Sequence, residues 1–222
     1  MSYESATVLP LAISTASTGL YEKDFLGLSH PTLTPQPNGK TILIWGAASS
    51  VGSCAVQLAK HSGYEVFATA SQHNHDYVQS LGAAQVFDYR ASDAISQIVS
   101  ALKGKTCVGI YDAISEEKTV SACCEVAEKA DISRKFIATT LPGSDSHGSQ
   151  NVEKKPVFAL TLLKNEVGPA VWRDFLPHAL EKGEFKAKPD PVVVGKGLES
   201  VQEGLEMNKK GVSAKKVVIS LA

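Results

Sequence analysis

A chain of 222 residues with a formal net charge of −1 and 43% hydrophobic residues has the size of one large globular domain, or one and a half. The near-zero charge argues against a nucleic-acid binder, which would carry a clear positive excess. No apolar run reaches the roughly 20 residues that a membrane span needs, and residues 1–5 lack the basic region of a signal peptide. The cysteines form neither a CxxC pair nor a zinc-spaced cluster, which indicates buried free thiols, a cytoplasmic protein and no metal site.

Hydrophobic patterning predicts the elements in chain order. The chain opens with a helix over residues 4–20 and a proline-rich connector. Strands are then predicted over 41–45, 65–69, 85–88, 107–111 and 135–139, alternating with helices over 51–62, 74–81, 91–102 and 116–129. Polar residues 141–155 predict an exposed loop, and the apolar run 157–163 predicts a sixth strand. The tail predicts a helix over 170–182, a strand over 191–194, a helix over 198–209 and a last strand over 216–221.

The alternation of strands and helices with short links is typical of a parallel sheet covered by helices on both faces. Because crossovers between parallel strands are right-handed, we predict an α/β fold with a doubly wound, six-stranded parallel sheet of the Rossmann type. A short N-terminal helix precedes the sheet and a helix–strand extension follows it. The predicted domains are the N-terminal helix and connector (1–35), the NADP-binding Rossmann domain (36–165) and the C-terminal extension (166–222).

The most informative segment is residues 41–52, which reads TILIWGAASSVG. An apolar strand, a tight turn of small residues and a helix start follow one another. Unpaired N–H groups and the helix dipole favour an anion at such a place. Only Gly46 and Gly52 are glycines, so the GxGxxG fingerprint is absent and a structural turn stays open as the alternative. Because the turn follows the first strand of the alternating series, we predict that it binds the pyrophosphate of a dinucleotide.

The end of the second predicted strand distinguishes between two cofactors. NAD sites place Asp or Glu there to bind the ribose 2′-hydroxyl. This chain has Ser71, His73 and Asn74, and the first acid is Asp76. Hydroxyl, imidazole and amide groups can donate to a 2′-phosphate, which favours NADP(H). A plain loop with a helix N-cap is the alternative interpretation, because Ser and Asn also suit a cap.

Several motifs together resemble the medium-chain dehydrogenase/reductase superfamily: residues 44–52, 57–60, 68–74, 81–83 and 87–89, with 197–205 and 212–218 of the tail. The quinone reductase-like branch is the most similar, and within it the zinc-independent fungal trans-enoyl reductases that partner polyketide synthases. Members of this family begin with a GroES-like domain, for which this chain has no room. The resemblance therefore implies a truncated form, whose last strand has an unpaired edge that a second copy or a synthase partner would cover.

The resemblance also implies a position for each part of an NADP(H) cofactor. The pyrophosphate would lie against the turn that contains Gly46, Ala48, Ser49, Ser50 and Val51. Ser71 would approach the adenosine 2′-phosphate with Tyr89 packed nearby, whereas Asn74 stands where many relatives have a lysine. The nicotinamide side of the cleft would be formed by residues after the fourth and fifth strands, namely Ala113, Ile114, Thr139 and Leu141.

The function that the resemblance implies is reduction of an enoyl, enone or quinone-like small molecule by NADPH, in fungal polyketide metabolism and without zinc. A non-redox cyclase or isomerase, or an accessory subunit, is the alternative. No catalytic acid follows from the sequence. The six histidines are scattered, and Tyr111 with Asp112 at the end of a strand is interpreted as a structural pair.

Overall fold

The computed structural model describes residues 1–130 and 132–221, and its centre is one parallel sheet. The strands are β1 (Lys40–Trp45), β2 (Glu65–Ala70), β3 (Gln85–Asp88), β4 (Thr106–Asp112), β5 (Phe136–Thr139) and β6 (Glu153–Pro156). Their spatial order is β3-β2-β1-β4-β5-β6, which is the doubly wound order of dinucleotide-binding folds. The predicted α/β class with a six-stranded parallel sheet is confirmed.

Helices precede, connect and follow these strands. Two lie before the sheet, α1 (Tyr3–Ala6) and α2 (Pro10–Tyr21), and four connect its strands, α3 (Ser50–His61), α4 (His75–Ser80), α5 (Ala94–Leu102) and α6 (Glu117–Lys129). The tail contains a π-helix (Pro169–Phe175), α7 (Leu176–Glu181), β7 (Asp190–Lys196), α8 (Val201–Lys210) and β8 (Lys215–Ser220). Within the described ranges, none of these helices combines the length and the hydropathy that a membrane crossing requires.

Two predicted helices differ from the structure. The N-terminal helix predicted over 4–20 is split into α1 and α2, because Pro10 has no N–H to donate to the preceding turn. Proline costs nothing at the first helical position, and Pro10 begins α2. The helix predicted over 170–182 begins as the π-helix and becomes α-helical only at α7, which carries Pro177 in its first turn.

Alternate strand residues face two hydrophobic cores, one on each side of the sheet. In β1, Ile42 and Ile44 face the core that α2, α3 and α7 complete. Leu43 and Trp45 face the core that α5 and α6 complete. The first core also includes seven buried residues of the tail, which are Val167, Val171, Phe175, Leu176, Ala179, Phe185 and Val218. Residues of the tail are therefore an integral part of the packing around the sheet.

The sixth strand does not lie where the sequence predicts it. Within the predicted range 157–163, Phe158, Leu160 and Leu163 are exposed, and a 3₁₀ helix (Thr161–Lys164) takes up the end of the run. The strand β6 falls instead in the predicted loop 141–155, where it pairs with β5. An edge strand tolerates charged residues and proline, so the sequence Glu-Lys-Lys-Pro can occupy it. A prediction from hydrophobicity alone therefore puts this strand in the wrong segment.

Close contacts of α2 with β4 give Tyr111 a structural role. The Tyr111 hydroxyl donates to the carbonyl oxygen of Thr15 at 2.9 Å. A Cβ atom at Gly19 would lie 2.5 Å from Tyr111 Cε2, so glycine is required for this approach. The side chain is fully buried, and burial raises the pKa of its phenol far above the usual range. Tyr111 therefore does not reach the cleft as an acid.

The tail is fastened to α3 by hydrogen bonds. Lys186 N donates to Gln57 Oε1 at 2.7 Å, and Gln57 Nε2 donates to the Lys186 carbonyl at 3.1 Å. The two ring nitrogens of His61 each lie 3.1 Å from a carbonyl oxygen, one of Thr32 and one of Glu184. Farther along, β7 and β8 form a separate, parallel two-stranded sheet. The helix α3 therefore contacts both the proline-rich connector and the tail, and its first residue follows the turn after β1.

Candidate functional site

The turn after β1 is held in place by hydrogen bonds of its backbone groups. Gly46 has φ 75°, in the left-handed region that favours glycine. Its N–H donates to Thr69 Oγ1 at 3.0 Å, and its carbonyl accepts from Ser49 N at 3.0 Å. A Cβ atom on Gly46 would lie 2.4 Å from Ile114 Cγ1, so this position has no space for a larger residue. The turn is consequently rigid and close to β2 and to the end of β4.

The start of α3 offers hydrogen-bond donors to a ligand. Ser49 caps the helix, since its Oγ accepts from Gly52 N at 3.0 Å. The first N–H group to donate to a carbonyl of the helix is that of Ser53, to Ser49, so the N–H groups of Ser50 and Val51 have no acceptor within the helix. Ser50 Oγ is buried and has no hydrogen-bond partner among the described residues. A buried hydroxyl without a partner is uncommon, and an anion at the helix start would provide one.

A cavity of about 400 Å³ opens in front of this turn, at the carboxyl ends of the strands. This volume lies within the range of small-molecule sites, and the carboxyl edge is where doubly wound sheets bind their ligands. The lining residues come from the ends of β1, β2, β3 and β4 and from the tail: Trp45, Gly46, Ala48, Ser49, Thr69, Ala70, Ser71, Asn74, Tyr89, Arg90, Ile114, Glu116, Thr119, Val212, Ser213 and Ala214.

Four polar side chains meet at one end of this cavity. Asn74 Nδ2 donates to Ser71 Oγ at 3.1 Å and to Ser213 Oγ at 3.0 Å. His73 Nε2 lies 3.3 Å from Ser71 Oγ and 3.0 Å from Ser213 Oγ. Ser71 and Asn74 are buried, whereas His73 and Ser213 are exposed. The end of β2 thus presents polar groups that include no carboxylate, whereas an NAD site has one at this place.

Arg90 adds a positive charge to the same cavity. It directly follows Tyr89, and its guanidinium carbon lies 5.5 Å from the centroid of the Tyr89 ring. Among the residues that line the cavity, Arg90 is the cation and Glu116 the anion. The tyrosine ring, which is 42% exposed, and the guanidinium together form a surface on which an adenine ring or a phosphate can bind.

Asp112 organises the loop that borders the cavity at the end of β4. Its Oδ1 accepts from the N–H groups of Ile114 and Ser115, each at 3.0 Å, and its Oδ2 accepts from Thr119 Oγ1 at 2.7 Å. Burial raises the pKa of the Asp112 carboxyl, although these hydrogen bonds act in the opposite direction. Ser115 Oγ in turn accepts from Thr140 N at 2.7 Å. The network connects the loop after β4 to the loop after β5.

The structure brings together only part of the site predicted from the sequence. Seven of the predicted residues line the cavity: Gly46, Ala48, Ser49, Ser71, Asn74, Tyr89 and Ile114. Ser50 and Val51, in the first turn of α3, are not among the lining residues, and His73 lies beside Ser71. Ala113, Thr139 and Leu141 do not line the cavity. Ile114, which the resemblance assigns to the nicotinamide side, shares this cavity with the residues assigned to the adenosine phosphate.

The remaining predicted residues have other contacts. Thr139 is completely buried, and its hydroxyl accepts from Ser144 Oγ at 2.7 Å. Ala113 N donates to the Trp45 carbonyl at 3.0 Å and so extends the pairing of β1 with β4. Leu141 is 46% exposed in the loop after β5.

Sequence reasoning missed several residues of the cavity. Arg90 stands next to Tyr89, and this adjacency is the signal that could have found it. In the sequence, the segment 212–214 stands out only as part of a family motif in the tail, and nothing local indicates its contact with the segment that follows β2. That contact joins residues that are about 140 positions apart, as in the pair His73 and Ser213. Only the packing of the tail reveals it.

Cysteine and metal chemistry find no support in the described residues. All four cysteines are free and buried, which confirms the prediction of buried thiols. Burial raises the pKa of Cys54 to about 12 and that of Cys107 to about 11. Such thiols are poor nucleophiles because little thiolate forms. Within the described ranges, no three His, Cys, Asp or Glu side chains group together as metal ligands.

Comparison with known proteins identifies the family. A family model described as zinc-binding dehydrogenase matches residues 50–131. The trans-enoyl reductase himH of Aspergillus japonicus is 47% identical over 223 residues, which cover 98% of this chain and 62% of that protein. The dehydrogenase pigH of Monascus ruber is 42% identical over 247 residues, which cover all of this chain and 66% of that protein.

A solved structure shows the same fold. The crystal structure of CurK enoyl reductase superposes with a TM-score of 0.73 at 22% identity, covering all of this chain and 64% of that one. The chain belongs to the medium-chain dehydrogenase/reductase superfamily. It matches the C-terminal part of its relatives and spans less than two thirds of the length of either curated one. Membership in this superfamily supports a nicotinamide cofactor.

The residues at the start of α3 fit a dinucleotide. Ser50 Oγ needs a partner, and the N–H groups of Ser50 and Val51 point out of the helix start. A Cβ atom on Gly52 would lie 2.3 Å from the Gly46 carbonyl oxygen, so helix and turn are packed as closely as backbone allows. This packing leaves only small side chains at the turn, which lets a pyrophosphate approach the backbone.

Proposed function

We propose that this chain binds NADPH and forms the cofactor-binding part of an enoyl, enone or quinone-like reductase of fungal polyketide metabolism. The observation that carries the proposal is the cavity at the end of β2. Ser71, Asn74 and Ser213 present hydroxyl and amide groups there, and Arg90 supplies a positive charge. A carboxylate at this place would repel a 2′-phosphate, whereas these groups can bind one.

Each group of the site has a distinct part in this proposal. The start of α3, with Ser50 and Val51, binds the pyrophosphate through N–H groups and the helix dipole. Tyr89 and Ile114 enclose the adenosine. When bound, the nicotinamide supplies the hydride. The chain's own contribution is to orient the cofactor, and the loops after β4 and β5, connected through Ser115, hold the far half of the cleft in position.

Fluorescence titration with NADPH and NADH tests the proposal directly. NADPH is expected to bind, and NADH to bind more weakly, because only NADPH carries the phosphate that Arg90 and the hydroxyl groups can bind. If neither dinucleotide binds at millimolar concentration, the proposal fails. Consumption of NADPH with a panel of α,β-unsaturated carbonyls and quinones then tests reductase activity, which also depends on the part of the relatives that this chain does not span.

The alternatives are separated by the same measurements. Turnover of a substrate without loss of NADPH would indicate a cyclase or isomerase. Tight NADPH binding without any turnover, together with co-purification of a synthase, would indicate an accessory subunit.

The accessory-subunit alternative has an observation in its favour. Among the described residues β7 and β8 pair only with each other, and the exposed Val193 lies on β7. A second copy of this chain could cover the same edges.

The substitution Ser50→Glu tests the position of the pyrophosphate. It would place a carboxylate against the phosphates, and we expect NADPH to bind more than about tenfold more weakly, a loss of about 1.4 kcal/mol or more. The matched control is Ser50→Gln, which has nearly the same size without the charge and should retain most of the affinity. Equal losses in both variants would assign the effect to size, and unchanged affinity in Ser50→Glu would mean that the phosphates lie elsewhere.

A further inference from the structure

Two hydroxyl groups connect α4 to the turn between β1 and α3. The Tyr77 hydroxyl lies 2.8 Å from Ser53 Oγ, and Ser53 Oγ donates to the Ala47 carbonyl oxygen at 3.2 Å. Tyr77 belongs to α4 and Ser53 to α3, and neither residue lines the cavity in front of the turn. These side chains therefore contact the turn without forming part of the cavity wall.

The direction of these two hydrogen bonds follows from the number of protons. Ser53 has one hydroxyl proton, and because the Ala47 carbonyl can only accept, that proton is used in the bond to Ala47. Tyr77 must then donate to Ser53 Oγ. Burial raises the pKa of Tyr77 to about 12, so its phenol keeps the proton that this bond requires. Each bond polarises the next, which strengthens the bond to the Ala47 carbonyl.

The bond to Ala47 also sets the direction of the next N–H group. The peptide bond between Ala47 and Ala48 is trans, so its carbonyl and its N–H point in opposite directions. Because the carbonyl is directed at Ser53, the Ala48 N–H points away from Ser53. Ala48 lines the cavity, and its N–H donates to no acceptor among the described residues. It is therefore a further donor for an anion, in addition to those of Ser50 and Val51.

We propose that Tyr77, acting through Ser53, is a positioning residue for the cofactor, because it holds the peptide between Ala47 and Ala48 so that the Ala48 N–H faces the pyrophosphate. This inference rests on the proposed function and adds to it a residue outside the cavity on which binding depends. Removal of the Tyr77 hydroxyl leaves the lining residues of the cavity unchanged. Its effect on a ligand is therefore confined to the part that the turn binds.

Two adenosine ligands that differ in the pyrophosphate test this role. 2′-Phospho-ADP-ribose carries the pyrophosphate, whereas adenosine 2′-monophosphate has no phosphate at its 5′ position. In calorimetric titrations of the whole chain, Tyr77→Phe is expected to weaken binding of 2′-phospho-ADP-ribose about threefold and to change binding of adenosine 2′-monophosphate by less than about 1.5-fold. Ser53→Ala removes the bond to Ala47 itself and should weaken the first ligand about tenfold, again with little change for the second.

The matched control is Tyr64→Phe. Tyr64 is also buried, but its hydroxyl takes no part in these bonds and the residue does not line the cavity, so both ligands should bind this variant as they bind the unmodified chain. Equal weakening of both ligands by Tyr77→Phe would show that the residue only supports the fold, and no weakening would show that the turn does not depend on it; either result overturns the inference. If the unmodified chain does not bind 2′-phospho-ADP-ribose, the proposed function itself fails.

Discussion

Replacing Gly52 with alanine is expected to lower the free energy of unfolding by about 2–3 kcal/mol and to weaken NADPH binding strongly. The added Cβ atom would lie 2.3 Å from the Gly46 carbonyl oxygen and 2.8 Å from Ala47 Cα. Both are backbone atoms, so no side-chain rotation can relieve the overlap. The helix must move away from β1, and the N–H groups at its start then lose their position relative to the turn.

Two hydrogen bonds oppose that movement, which is why the cost is expected to be large. Ser49 Oγ accepts from Gly52 N at 3.0 Å, and Ser53 Oγ donates to the Ala47 carbonyl at 3.2 Å. Relief of the overlap would stretch one or both of them. Urea unfolding and NADPH titration of the same preparation measure the two effects.

The matched control for this change is Gly204→Ala in α8. The nearest atom to the new Cβ is Ile219 Cδ1 at 3.0 Å, at the end of a flexible side chain. Alanine has the higher helix propensity, by about 1 kcal/mol, so this variant should be as stable as the unmodified chain or more stable. A Gly52→Ala variant with unchanged stability and binding would contradict the close packing of the turn.

The second large effect is expected for Asp112→Ala, at about 3 kcal/mol of lost stability. The change removes the acceptor of the Ile114 and Ser115 N–H groups, which leaves two donors without a partner beside the end of β4. Thr119 Oγ1 keeps a second acceptor, the Glu116 carbonyl at 3.0 Å. The lost stability therefore comes from the loop after β4, in which Ser115 is held at φ 61°.

Asp112→Asn separates the geometry from the charge. The amide keeps an oxygen for the two N–H groups and presents a donor to Thr119, whose hydroxyl can turn to accept it. This variant should fold and lose much less stability than Asp112→Ala. Equal losses in both variants would show that the charge of Asp112, rather than its acceptor geometry, holds the loop.

The same pair of proteins gives a pH dependence with a defined sign. Burial raises the pKa of Asp112 in the folded state above its ordinary value of 3.8, which applies to the unfolded state. At pH values between the unfolded-state pKa and the folded-state pKa, the folded state therefore binds more protons than the unfolded state. Stability contributed by this group is therefore present below that window and lost as pH rises through it. The amide of the Asp112→Asn variant does not titrate. The stability of the unmodified chain relative to this variant should therefore fall with rising pH, as urea unfolding at a series of pH values would show.

The local sequence was sufficient to predict the secondary structure around the turn between β1 and α3. The apolar run of β1, the small residues after it and the helix pattern of α3 are all read within about 20 residues, since the hydrogen bonds of a helix and the alternation of a strand are local properties. The prediction failed at β6, because the pairing of an edge strand depends on where β5 leaves an open position. The hydrophobic run 157–163 is more strand-like by composition and yet carries exposed side chains.

The sequence by itself determined the α/β class, the parallel sheet with its first five strands, and a tight turn of small residues between β1 and α3. It also indicated a polar, acid-free end of β2 through Ser71 and Asn74. Only the tertiary structure decided that Arg90, Thr119 and Ser213 line the same cavity and that Thr139 does not. The reason is physical: propensity and periodicity act between neighbours in the chain, whereas the contact of Ser213 with His73 results from the packing of the tail against α3 and the segment after β2.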